Sequence, residues 1–176
     1  MNYRSSLYLD SKVGARNFMI EIKLLADCPE NYIPQLAELW KEEIGRIWAP
    51  ALNIENIIQR FMQHVNKDML PIMYVAVDNN TPIAMACLRV TEGIMPELTP
   101  WLGGLVVAPK YRKSHVMSSL VKCCISKAKH FGHSNIYIVA FDKNLAKKYH
   151  RIMNCEVIGN EYINEKPVSV MRFKVE

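Results

Sequence analysis

The stretch that most limits what this chain can fold into runs from Trp101 to Cys124, WLGGLVVAPKYRKSHVMSSLVKCC. Leu102 to Ala108 is an apolar run too short for a buried helix and rich in valine, so it reads as an interior strand. Pro109 ends it, because proline cannot donate a ladder hydrogen bond. A basic turn, Lys110-Tyr111-Arg112-Lys113, follows, with Ser114 as candidate N-cap. Met117, Val121, Cys124, Ala128 and Phe131 then form one apolar stripe on a helix that Gly132 closes. Strand, basic turn and helix N-terminus in that order make an anion site. The first helical amides lack partners, the helix dipole adds positive character, and Arg112 and Lys113 supply full charges.

The charge distribution agrees. The net charge is +5. Residues 101–151 carry ten Lys/Arg against one acid, Asp142, so the segment is +9 and the remainder −4. Such a field attracts a polyanion, and a phosphorylated cofactor or a nucleic acid would satisfy it equally. No aromatic-interleaved strand and no helix-turn-helix spacing appears, which disfavours a nucleic acid. Half the residues are hydrophobic, as in a folded globular chain. No apolar run approaches the ~20 residues of a membrane span, and the N-terminus lacks a signal-peptide core. Five scattered cysteines without a CxxC read as reduced thiols in a cytoplasmic protein with no metal site.

Taken in order, residues 1–16 read as a loose polar arm and 18–25 as a first strand. Two amphipathic helices follow, one from Gln35 to about Ala49-Pro50 and one from Ile54 to Val65 with Asn53 as N-cap. They could form a wall over a site, although Trp40 and Trp48 on the first read as core packing. Strands over 72–77 and 83–91 flank the dense turn signal Asp78-Asn79-Asn80-Thr81-Pro82. After the central strand and helix come a strand over 135–140, a helix over 144–153 and strands over 156–162 and 168–175. The order β-α-α-β-β-β-α-β-α-β-β, with one strand–helix–strand crossover, implies a parallel pair in the middle of an otherwise mostly antiparallel sheet flanked by helices. That is an α/β mixed-sheet fold in one domain spanning 1–176.

Val107-Ala-Pro-Lys-Tyr-Arg112 resembles the core motif of the GNAT superfamily of N-acyltransferases, Val-x-Pro-x-x-Arg, which leads into a pyrophosphate loop. Leu-Thr-Pro-Trp-Leu just before it is similar to many bacterial members. The likeness in element order covers residues 18–175. It implies acetyl-CoA as cosubstrate, held by Arg112, Lys113, Ser114, His115, Val116 and Met117. His115 and Met117 stand where the family has glycines. His115 would either hydrogen-bond phosphate or point outward. It further implies direct attack of a primary amine on the thioester, with backbone amides of Leu105, Val106 and Val107 stabilising the carbonyl oxygen.

The family's general acid is a tyrosine, and Tyr149 in NLAKKYHRIMNCEVIG is the natural match. Asn144, the matching cofactor-side asparagine, lies two residues too close, and counting back from Cys155 selects His150 instead. Tyr149 also shares a helix face with Leu145 and Ile152, so a core tyrosine is the bland alternative. For the base, Glu92 and Glu97 lie on the loop entering the central strand, and Glu97 matches an acidic position of the relatives. Cys123 and Cys124 lie along the apolar stripe and read as packing. The acceptor is a small-molecule or peptide amine. Acids at 38, 42, 43, 55, 92 and 97 lean toward a cationic one. A homodimer is allowed, but nothing in the sequence decides the oligomeric state. The competing readings are a GNAT-fold binding module without catalysis and a nucleic-acid-binding domain.

Overall fold

Two hairpins show most directly how the sequence sets the sheet. Asn79 and Asn80, at φ 47° and 61°, form the two-residue connection between β3 (Ile72–Asp78) and β4 (Thr81–Arg89). Asn164 and Glu165, at φ 48° and 63°, do the same between β7 (Glu156–Ile163) and β8 (Lys166–Lys174). Two successive left-handed residues make a turn whose twist matches that of the flanking strands, and asparagine tolerates the conformation. The remaining strands are β1 (Leu7–Val13), β2 (Arg16–Leu24), β5 (Trp101–Val107) and β6 (Asn135–Ala140). They are seen in a computed structural model that describes residues 7–13 and 16–175, with side chains from Met19 onward.

The eight strands form one sheet, β1-β2-β3-β4-β5-β6-β8-β7, antiparallel except for the β5–β6 pair. The parallel pair lies where the crossover places it. One expectation is corrected: residues 7–13, read as part of a loose arm, form β1 and pair with β2. Arg16, the last residue of that arm, opens β2, and residues 1–6, 14 and 15 lie outside the described residues.

Helices cover both faces. On one, α1 (Tyr32–Trp40) runs through a wide-turn π segment (Lys41–Gly45) into α2 (Arg46–Trp48), and α3 (Ile54–Met62) packs beside it. Asn53 caps α3 as expected, its Oδ1 accepting from Asn56 N at 2.8 Å. The other face carries α4 (Val116–His130) and α5 (Lys143–Met153). Gly132, at φ 81°, closes α4: its N–H donates to Lys129 O at 2.9 Å, and His133 N–H donates to Ala128 O at 3.0 Å. That pair of bonds satisfies the last carbonyls of the helix.

Alternation along β3 divides the core. Ile72 and Ala76 join the cluster under α4, with Leu120, Cys124 and Ala128. Met73, Val75 and Val77 face α1 and α3, against Leu36, Ile57 and Phe61. Burying such side chains contributes roughly 1.5–3 kcal/mol each. The Tyr111 hydroxyl donates to the buried Asp78 carboxylate at 2.7 Å, which ties the basic turn to the β3–β4 hairpin.

Candidate active site

β5 and β6 are paired only at Trp101–Tyr137 and Leu102–Ile138, and then part. The cause lies in β5 itself. Against β4, the register runs Cys87–Gly103 and then Met85–Val106, so β5 carries one extra residue. Gly104, at φ 55°, is the left-handed residue of this bulge, a conformation open to glycine at little cost. The bulge also reverses which way the backbone points. Before it, Pro100 O accepts from Tyr137 N–H on β6 at 3.0 Å, so even positions face β6. After it, Ala108 N–H donates to Ile83 O at 2.9 Å, beyond the start of β4's pairing with β5, so even positions face β4. By alternation, the amides of Leu105 and Val107 point into the gap, and that of Val106 points to β4. The Val107 carbonyl, also on the gap side, accepts from Arg112 Nε at 3.2 Å.

A cavity of about 930 Å³ passes through the sheet at this gap. Trp40, Phe61 and His64 line it from the α1–α3 face, Leu145 and Tyr149 from the α5 face, and Gly103 to Leu105 along the strand edge. Its roof is the segment around α2. Lys41 Nζ donates to Pro50 O at 3.1 Å and also to Leu52 O, which fixes the chain over 49–52. Asn164 Nδ2 donates to Trp48 O at 2.6 Å and Lys166 Nζ to Ile47 O at 2.5 Å, so the β7–β8 turn holds the roof from the far side. The Trp48 ring stacks on Phe141, centroids 4.1 Å apart.

The floor carries the charge. A Cβ at Gly103 would fall on the Arg89 guanidinium, so the glycine is what lets that side chain lie across β5. Arg89 there makes an ion pair with Glu92, and both line the cavity. Burial raises the Glu92 carboxyl above its ordinary value, and the Arg89 charge opposes the rise. His64 is buried. Its Nδ1–H donates to Arg60 O at 2.8 Å, which leaves the lone pair on Nε2, an atom with no hydrogen-bond partner among the described residues. Burial lowers its pKa to about 4; the hydrogen bond to Arg60 O opposes the fall and the Arg89 and Arg60 charges add to it, so the ring is neutral at pH 7.

The expected site residues divide. Tyr149 and Leu105 line the cavity, and Tyr149 is buried, with its phenol pKa pushed up by burial and by Cys155 and Asp142 nearby. His150 is exposed and points elsewhere, its Nδ1 bonded to Cys155 O at 2.8 Å. Glu97 is exposed and outside the cavity wall, where Glu92 stands instead. Asn144 is exposed in the first turn of α5 and also outside the wall.

The basic turn sits at the end of β5. Arg112 pairs with Glu43 of the π segment. Lys113 takes φ 63°, whereas His115 stands at φ −81° and is exposed. The helix starts at Val116 with His115 as N-cap, one residue later than expected. Ser114 Oγ still accepts from Val116 N at 3.4 Å. No positive φ is therefore required of the bulky residues standing in the glycine positions, and the His115 side chain points outward. Cys87 and Cys124 are buried, with thiol pKa values raised by desolvation, to about 12 for Cys87, as packing residues would be.

Arg89 and His64 are wall residues that sequence reasoning missed, and Trp40 and Trp48, read there as core packing, also line the wall. The Gly103-Gly104 pair inside a strand run was the available signal, since glycine there marks a bulge or a close approach.

Residues 33–153 match the Acetyltransferase (GNAT) family. The chain belongs to that family. Solved structures agree on the fold. An N-acetyltransferase from Staphylococcus aureus Mu50 superposes with a TM-score of 0.65 at 19% identity, covering 89% of this chain and 98% of that one. An aminoglycoside 6'-N-acetyltransferase complexed with coenzyme A gives 0.69 at 16% identity, covering 88% and 97%. The NatC complex bound to Gag peptide and CoA gives 0.67 at 19%, covering 89% and 99%. No curated protein matches in sequence. Among the described residues no helix is long and apolar enough to cross a membrane.

Proposed function

We propose that this GNAT-family protein transfers the acetyl group of acetyl-CoA to a primary amine by direct attack with both substrates bound. The observation that carries the reading is the β5–β6 gap, with the Leu105 and Val107 amides directed into it and Tyr149 on the cavity it opens. Acetyl-CoA supplies the activated acyl group as a thioester. Amides fixed in a strand edge are preorganised donors for a carbonyl oxygen that gains charge on attack. Tyr149 is the proton donor to the leaving thiolate, since a phenol raised by burial keeps its proton at pH 7. Glu92 takes over the role first expected of Glu97: its raised carboxyl sits on the acceptor side of the wall, where the amine must lose a proton. Arg112, Lys113 and the backbone amides of Ser114 to Met117 at the start of α4 would hold the diphosphate.

Calorimetric titration with acetyl-CoA, followed by a CoA-release assay on an amine panel, tests this reading. Micromolar binding is expected, together with a Tyr149→Phe variant that loses kcat about 10²-fold or more while still binding acetyl-CoA. No binding at millimolar acetyl-CoA would refute the enzyme reading and favour a GNAT-fold binding module.

A further inference from the structure

The acceptor half of the cavity is apolar in body and poor in carboxylate. Trp40, Ile44, Trp48, Leu52 and Phe61 form its wall, and among the described residues the charged side chains on the lining are Arg60, Arg89 and Glu92. The one acid is already paired with Arg89, and His64 is neutral, so the wall carries a net charge of about +1 near pH 7. The acids that suggested a cationic acceptor are elsewhere. Glu43 pairs with Arg112 and Glu42 with Arg46 at 3.8 Å, while Glu38, Glu55 and Glu97 are exposed and off the lining.

Each ammonium that enters a low-dielectric cavity needs a counter-charge. Among the described residues this cavity has none unclaimed. An amine with two or more cationic centres would lose hydration without compensation and would meet Arg89 and Arg60. A single amine on an uncharged body gains from the aromatic wall. Like charge nearby also favours its neutral, nucleophilic form.

We propose that the acceptor is a monoamine carried on an apolar or aromatic body, and that Arg89, seated over Gly103, excludes polycationic amines by holding Glu92. This specificity rests on the acetyl-transfer reading, but it is tested separately from it. The probes are 2-phenylethylamine as apolar monoamine, and spermidine and kanamycin as polycations. Two readouts are taken on the full chain: acetyl-CoA-dependent CoA release, and quenching of tryptophan fluorescence by the amine alone, which needs no turnover.

The expected result is that 2-phenylethylamine is preferred over both polycations by at least about tenfold, in kcat/KM and in quenching midpoint. Arg89→Gln frees Glu92 and should shift the ratio toward spermidine by about tenfold, whereas Arg89→Lys keeps the charge and should keep the preference. Spermidine or kanamycin preferred by the unaltered chain, or no quenching by any of the three, overturns the proposal. If no amine is acetylated, the acetyl-transfer reading falls, and the quenching order still decides the acceptor class. Should Arg89→Gln fail to fold, the unaltered chain and Arg89→Lys carry the decision.

Discussion

His64 shows how much the cavity wall asks of one side chain. The unfolded chain protonates this imidazole near its ordinary value of ~6.5, and the folded chain only near 4. Between those values the unfolded state binds the proton and the folded state does not, so stability falls as pH drops through that window. The whole shift corresponds to about 3 kcal/mol at most. Glu92 acts in the opposite sense: its raised carboxyl takes a proton first in the folded state, which offsets part of the loss just above the usual carboxylate range. His64→Gln should therefore flatten the fall in thermal midpoint between pH 7 and pH 5. An equally steep fall in the variant would show that His64 is not the titrating group.

Glu43 and Arg112 pose a second residue-scale question, because the guanidinium expected to meet a diphosphate already holds a carboxylate. An arriving anion would have to replace Glu43. Exposed pairs of this kind contribute at most about 1 kcal/mol, so Glu43→Gln should tighten acetyl-CoA binding by up to about fivefold, with calorimetry as the measure. Weaker binding in the variant would mean that Glu43 supports the loop instead of competing for it.

At the level of elements, the β5 bulge is the feature on which the gap depends. Gly104→Ala would place a Cβ at φ 55° and 3.1 Å from Cys87 Sγ. The conformational penalty alone is about 1–2 kcal/mol, enough to lower the melting temperature of a chain this size by several degrees. The variant should also lose acetyl-CoA affinity, because relaxing the bulge would turn Leu105 and Val107 away from the gap. Unchanged melting and binding would mean that the strand parts for another reason.

The elements themselves were legible because local rules create them: a proline that ends β5, a glycine that closes α4, two asparagines that turn β3 into β4. The parted strands were legible only through the family resemblance, since the loss of pairing between residues 103–107 and 139–140 is a long-range property with no local pattern. Arg89 escaped notice for the same reason. Its role depends on a missing side chain fourteen positions away, at Gly103. β1 was hidden because LYLDSKV mixes charge into its alternation and pairs only at the sheet edge. The π segment follows from no feature that helical periodicity registers.

For the whole molecule, the two halves of the cavity come from differently placed parts of the chain. The gap and the basic turn lie within residues 101–153, a compact span of neighbouring elements. The roof over the cavity is held by hydrogen bonds that join residues 116 and 119 positions apart, Trp48 to Asn164 and Ile47 to Lys166. Closing a loop of that length costs more chain entropy than any contact within the central span. The parted strands and the basic turn are made by residues up to α5, whereas the roof also needs the β7–β8 turn, and β6 itself needs β8 as its sheet partner. Substitutions in the 164–166 turn should therefore disturb the roof of the cavity while leaving the parted strands and the basic turn in place.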